Sequence, residues 1–182
     1  MSIKNHKFSV PVIIFCLVLC LATLQRLEAG VTGISAVNRF VTLFIIERSK
    51  NANIVEYDAN IDPQGNIHSE QPIHACWKLL AEDGRIAELS LFEQKAYGFN
   101  CTYDRTTGEY QLVINSFKER KIKVYKEDNT VRAETIINGK PAYLERVYIK
   151  AEQSVLLPSV KYLELYGKDK ALGTLLYEKI NI

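Results

Sequence analysis

The chain has 182 residues, and its 23 Lys and Arg stand against 21 Asp and Glu, for a net charge of +2. A surface so nearly balanced exerts no bulk pull toward nucleic acid or an anionic membrane. No phosphate loop, dinucleotide glycine fingerprint or Gly-x-Ser-x-Gly elbow occurs in it, which removes the enzyme classes built on those motifs.

The first 29 residues have the order of a secretory signal. Lys4, His6 and Lys7 precede an apolar run from Phe8 to Leu24, and a short polar stretch ends at Ala29 before Gly30. Cleavage after Ala29 is the expectation, giving an exported protein, periplasmic or extracellular. The run is near the lower limit of the roughly 17–25 residues that span a bilayer, and Pro11 interrupts it. Membrane attachment is therefore expected only through an uncleaved leader, if it is retained. Lipid attachment at Cys16 or Cys20 fits less well, because the residues before them are the bulky Phe15 and Leu19. The leader carries Lys4, Lys7, Arg26 and Glu28, so the remainder, residues 30–182, has 20 charges of each sign. It is long enough for one domain with its own core, and no linker or repeat divides it.

In chain order, residues 40–48 and 54–60 read as a strand pair around Ser49-Lys50-Asn51-Ala52-Asn53, and Asp62-Pro63-Gln64-Gly65 as a turn. Residues 73–80 form a further strand with Ile73, Ala75, Trp77 and Leu79 on one side. Ser90-Leu91-Phe92-Glu93 matches a capping box, which predicts a short helix over roughly 90–98. Phe92, Ala96 and Tyr97 are its expected docking face, and Gly98 its stop in the left-handed conformation. From residue 100 on, period-two alternation recurs around Tyr110-Leu112-Ile114, Ile122-Val124 and Val131-Ala133-Thr135-Ile137. Turns are expected at Thr107-Gly108, Asp128-Asn129, Gly167-Lys168-Asp169 and, most strongly, Asn138-Gly139. Lys118, Arg120, Lys121 and Lys123 alternate with apolar residues as a solvated face does. The sum is an all-β fold, an antiparallel meander forming a barrel or sandwich of about 8–9 strands with one short helix. The last strand, near 172–180, is expected to close the sheet against the first. Ten tyrosines, all beyond the leader, suit half-buried strand positions.

Groups able to do chemistry are few. Cys76 and Cys101 are a candidate disulfide in an oxidising compartment, closing a loop of about 26 residues worth on the order of 3 kcal/mol. His74-Ala75-Cys76 puts imidazole and sulfur on one face of a strand, but no second close ligand pair follows, so no metal and no cofactor are expected. Asp58-Ala59-Asn60-Ile61-Asp62 has the oxygens of a calcium loop, yet Pro63 stands where its glycine belongs and Ser69 where its glutamate does. The densest polar cluster runs from Glu47 to Asn53 and on to Tyr57, Asp58 and Asn60. Arg48 offers a planar donor fork and Lys50 a mobile charge, suited to a carboxylate or phosphate, while Asn51 and Asn53 serve equally as turn formers.

Two segments carry a family resemblance. One is Phe44-Ile45-Ile46-Glu47-Arg48-Ser49-Lys50-Asn51-Ala52-Asn53 with Tyr57-Asp58-Ala59-Asn60, and the other is Pro72-Ile73, Trp77, Gly84, Glu88-Leu89, Glu93 and Ala96-Tyr97-Gly98. Together they resemble a domain-of-unknown-function family, number 4833, of secreted bacterial β-rich proteins, over most of the chain beyond the leader. The aromatic usual before the tryptophan is Cys76 here. The resemblance implies a secreted β-rich domain and no reaction, and it draws attention to Arg48, Lys50, Asn51, Asn53 and Trp77.

The leading expectation is a non-catalytic binding domain for a small molecule or envelope component, with a cavity lined by inward aromatics. Arg48, Lys50, Asn51, Asn53, Tyr57, Asp58 and Trp77 are its candidate ligand-binding residues. An assembly module working through a sheet edge is one alternative. A hydrolase is the other, with Arg48 and Lys50 orienting an anionic substrate and Glu47 or Asp58 as base.

Overall fold

The computed structural model describes residues 39–49, 51–152 and 159–182. The expected leader, Cys16, Cys20 and Lys50 lie outside the described residues. Eleven strands and one short helix follow in the order β1 (Arg39–Arg48), β2 (Asn51–Ile61), β3 (Ile73–Leu79), β4 (Arg85–Glu88), α1 (Glu93–Tyr97), β5 (Phe99–Asp104), β6 (Glu109–Ile114), β7 (Lys121–Glu127), β8 (Thr130–Ile137), β9 (Lys140–Glu152), β10 (Ser159–Asp169) and β11 (Leu175–Asn181). A 3-10 turn over Leu80–Glu82 links β3 to β4.

The expected β-rich class with one short helix holds, as a single sheet curled into a half-barrel. β9 is its spine. One edge of β9 pairs with β8 at residues 140–143 and, further along, with β1 at residues 146–149. β10 occupies the other edge from Ala142 to Glu152, and β11 pairs outside it. Two antiparallel meanders, β1–β4 and β5–β8, thus hang from one strand and face each other.

Most ladders are antiparallel, but β1 and β9 run parallel. Strands joined by tight turns must be antiparallel, whereas β1 and β9 are a hundred residues apart and no turn dictates their direction. For the same reason the last strand does not close on the first. β11 follows β10 through a short turn and pairs with it, and β9 takes the place beside β1.

Alternation packs the interior as the sequence predicts. Leu112, Ile122, Val124, Ala133 and Ile137 are buried from the second meander, and Phe44, Val55, Tyr57 and Ala59 from the first. Phe44 stacks on Tyr57 with ring centroids 4.5 Å apart, and Trp77 meets Tyr97 edge-on at 5.6 Å. The Asn138-Gly139 hairpin has φ of 50° and 78°, as a type I′ turn requires.

Three local expectations are corrected. Gly98 is extended, at φ −63° and ψ 166°, and glycine is needed there because a Cβ would lie 2.3 Å from the Gln94 carbonyl oxygen. Gly167 lies within β10, with its Cβ position 2.3 Å from the Tyr143 carbonyl oxygen; the turn comes later, at Asp169–Gly173. Phe92 is 73% exposed, so α1 docks through Tyr97 with Ala96 beside it.

Candidate functional site

Arg48 ends β1 on the concave side. Its guanidinium carbon is 4.9 Å from the Trp77 ring centroid and 5.6 Å from that of Tyr97. Its Nε and Trp77 Nε1 are both buried without a hydrogen-bond partner among the described residues. The neighbouring asparagines are occupied locally. Asn51 Oδ1 accepts from Asn53 N–H at 2.9 Å, and Asn53 Oδ1 accepts from Ala81 N–H at 3.2 Å. They therefore build the β1–β2 turn and tie it to the 3-10 turn.

The remaining sequence candidates separate from Arg48. Tyr57 is wholly buried, and its hydroxyl donates to the Tyr97 carbonyl oxygen at 2.5 Å. Glu47 shares the opposite face with Arg146, which donates to it at 3.0 Å. Asp58 also points away, because it alternates with Tyr57 along β2. Neither acid reaches Arg48, so the general-base arrangement expected of a hydrolase is not assembled among these residues.

The outward face of β2 and β3 is polar yet buried. Glu56, Asp58 and Asn60 all lie below a tenth of their full exposure. Glu56 accepts from Thr42 Oγ1 at 3.0 Å and pairs with Lys78 at 3.4 Å. Asp58 stands across from His74, and Glu56 across from Cys76. Burial raises the Asp58 carboxyl, with Glu56 adding to the effect. Burial and the carboxylates of Asp58, Glu56 and Glu88 push the Cys76 thiol up to about 11. Cys76 and Cys101 are separate free thiols, so the bridge expected from the sequence is not formed. They belong to β3 and β5, strands that do not pair with each other.

Within the concavity lies an apolar cavity of about 140 Å³. Ile46, Leu144, Val147, Leu163 and Leu165 form one wall from β1, β9 and β10, and Ile114, Phe117 and Ile122 form the other. Ser116 and Arg120 are its polar lining residues, and both are engaged. Ser116 Oγ donates to the Ala96 carbonyl, and Arg120 bonds to Glu178 at 2.9 Å and to the Ile136 carbonyl. The lining is mainly aliphatic, with Phe117 its one aromatic among the described residues, where several inward aromatics were expected. Many tyrosines point outward instead, with hydroxyls of Tyr125, Tyr143, Tyr166 and Tyr177 donating to glutamates. The sequence led to a cavity but not to its lining, because alternation names the inward residues without saying which of them border the space between two facing meanders.

The family model for a domain of unknown function, DUF4833, matches residues 44–179. The chain belongs to that family. No curated protein and no solved structure matches it significantly. The DUF4833 segment begins at Phe44 in β1 and ends at Lys179 in β11. It therefore includes both meanders, the spine and every candidate residue named above.

Proposed function

We propose that this DUF4833 domain is a non-catalytic binding module that takes the aliphatic end of a small amphiphile into the hollow of its half-barrel. The supporting observation is the cavity of about 140 Å³ walled mainly by aliphatic side chains from both meanders and from β9 and β10. An apolar void of about 150 Å³ stays dry and accepts a benzene-sized guest. Sites that enclose a whole drug-sized ligand are larger, roughly 300–1,000 Å³. The occupant therefore inserts one end and leaves its head outside, past Val160, which is 40% exposed at the mouth. Arg120 is committed to Glu178, so recognition falls on the tail and not on the head charge.

Titration with straight-chain alkanoates of increasing length tests this. Burial gains about 0.8 kcal/mol per methylene, so affinity should rise about fourfold per added carbon until the hollow is full. Val160→Trp at the mouth should weaken binding by about tenfold or more without disturbing the core. Affinity that ignores chain length would sink the proposal.

Export supports the same reading, since an amphiphile of the cell envelope is then within reach. The basic-apolar-small order of the first 29 residues motivates it. Protein recovered from outside the cytoplasm should begin at Gly30, and a retained Met1 in that fraction would count against cleavage.

A second reading rests on β11, which among the described strands pairs with β10 alone and presents Leu175 and Tyr177 to solvent. Such an edge can add a strand from another chain. Sedimentation that stays monomeric at high concentration would argue against self-assembly through it.

A further inference from the structure

β2 and β3 bring three metal-ligating side chains together on the outward face of the sheet. Asp58 lies directly across from His74, and Cys76 follows two residues later, so the pleat turns both β3 residues to the same side as Asp58. Their ligand atoms all lie within 4.8 Å of one another. In the sequence, His74-Ala75-Cys76 is a fragment with two donors. The third donor comes from a neighbouring strand and is visible only in the register.

Two of these side chains are incompletely satisfied. Asp58 Oδ1 and His74 Nδ1 are buried and have no hydrogen-bond partner among the described residues. Asp58 as a residue is 7% exposed, so its bare oxygen is cut off from water as well. Leaving such atoms unmet is costly, and a cation between them would satisfy both. The other imidazole nitrogen, His74 Nε2, is 3.0 Å from Glu88 Oε1. With Nε2–H donating to that carboxylate, Nδ1 carries the lone pair that a metal needs.

We propose that Asp58, His74 and Cys76 form a binding site for a thiophilic divalent transition-metal ion, Zn²⁺ by ligand type, with Glu88 as the outer carboxylate that orients His74. One nitrogen, one sulfur and one carboxylate oxygen match zinc and exclude Mg²⁺ and Ca²⁺, which take oxygen ligands. Bonds of about 2.0–2.3 Å put the donors of a tetrahedral zinc on the order of 3.5 Å apart, so side-chain rotations of about an ångström close the set. As the Zn–S bond forms, Cys76 releases its thiol proton to solvent. The bound ion is then balanced by one thiolate and one carboxylate, and Glu56 remains paired with Lys78. Three protein ligands leave the fourth position for water, the pattern of an open zinc site. A cleft of about 280 Å³, lined by His74 and Glu88 with Ile73, Gln94 and Phe99, borders the site on its His74 side.

Cobalt(II) added to the full domain, purified with its thiols reduced, reports on this directly. One equivalent should produce a thiolate-to-cobalt charge-transfer band, and zinc should abolish it by displacement. Cys76→Ser should remove the band, and His74→Ala and Asp58→Asn should weaken binding. Cys101→Ser should leave it intact. Glu88→Gln, at an exposed position, should keep the band but lower affinity by about 10–100-fold. Because Glu88→Gln and Cys101→Ser leave the buried face unaltered, they decide the matter even if a ligand variant fails to fold. Absence of a stoichiometric band, a band that survives Cys76→Ser or is lost in Cys101→Ser, or unchanged affinity in Glu88→Gln would each overturn the proposal.

Discussion

Tyr57 shows how one residue can be polar in formula and structural in use. Its ring is stacked on Phe44 and its hydroxyl donates to the Tyr97 carbonyl, which joins β2 to the end of α1. Burial pushes its phenol well above the ordinary tyrosine value, so it does not titrate in the working range. Tyr57→Phe would leave that buried carbonyl without its donor and should cost about 1–3 kcal/mol in urea unfolding. Stability equal to the parent would show that the bond contributes nothing. Gly167→Ala tests backbone proximity in the same way. Its new methyl group would meet the Tyr143 carbonyl oxygen at 2.3 Å and Ile137 Cδ1 at 2.8 Å, so a loss of about 1–3 kcal/mol is expected in thermal melts. At this scale the sequence was half legible. Tyr57 drew attention beside Asp58 and Asn60, yet alternation puts those two on the other face and groups Tyr57 with Val55 and Ala59. Arg48 and Trp77 do come together as the sequence invited, whereas the asparagines are consumed by their own turn.

Among the elements, α1 depends most on local chemistry. It spans five residues, too few for a helix to persist without support, and its start is held by Ser90 and Glu93. Glu93 Oε2 accepts from the Ser90 amide at 2.9 Å and from its hydroxyl at 2.7 Å. The Ser90 hydroxyl is the leading cause that holds the Glu93 carboxyl below its ordinary value of 4.5. A depressed carboxyl stabilises the fold above its unfolded pKa, and that contribution is lost as pH falls through the folded value. Ser90→Ala should therefore raise the Glu93 midpoint in an NMR titration and cost about 1 kcal/mol at neutral pH. A Glu93 midpoint unmoved by the substitution would contradict the reciprocal cap. The Ser-x-x-Glu spacing announced this helix, and Asn-Gly announced its hairpin, because both signals act within a few residues. The extended conformation of Gly98 was not legible, since it answers to Gln94 and to the strand that α1 must enter next.

For the whole molecule, the decisive feature is a spine with partners on both edges. Val147 in β9 is flanked by Ile46 of β1 and Leu165 of β10, and all three are buried. Native-state hydrogen exchange should accordingly be slowest in the middle of β9 and fastest in β4, β5 and β11, which have one neighbour each among the described strands. Slowest exchange in β4 or β11 would refute this hierarchy. Strand positions were readable from alternation because each is a local pattern. The parallel β1–β9 ladder was not, because it depends on which distant edges remain open once the hairpins have formed. That same ladder governs the order in which the fold can be completed. Ile45 pairs with Arg146, so the earliest ribbon must wait roughly a hundred residues for its mate, about 5–20 s at ordinary rates of synthesis. Throughout that delay the nascent polypeptide lacks its keystone, and the first meander waits with one flank of β1 still open.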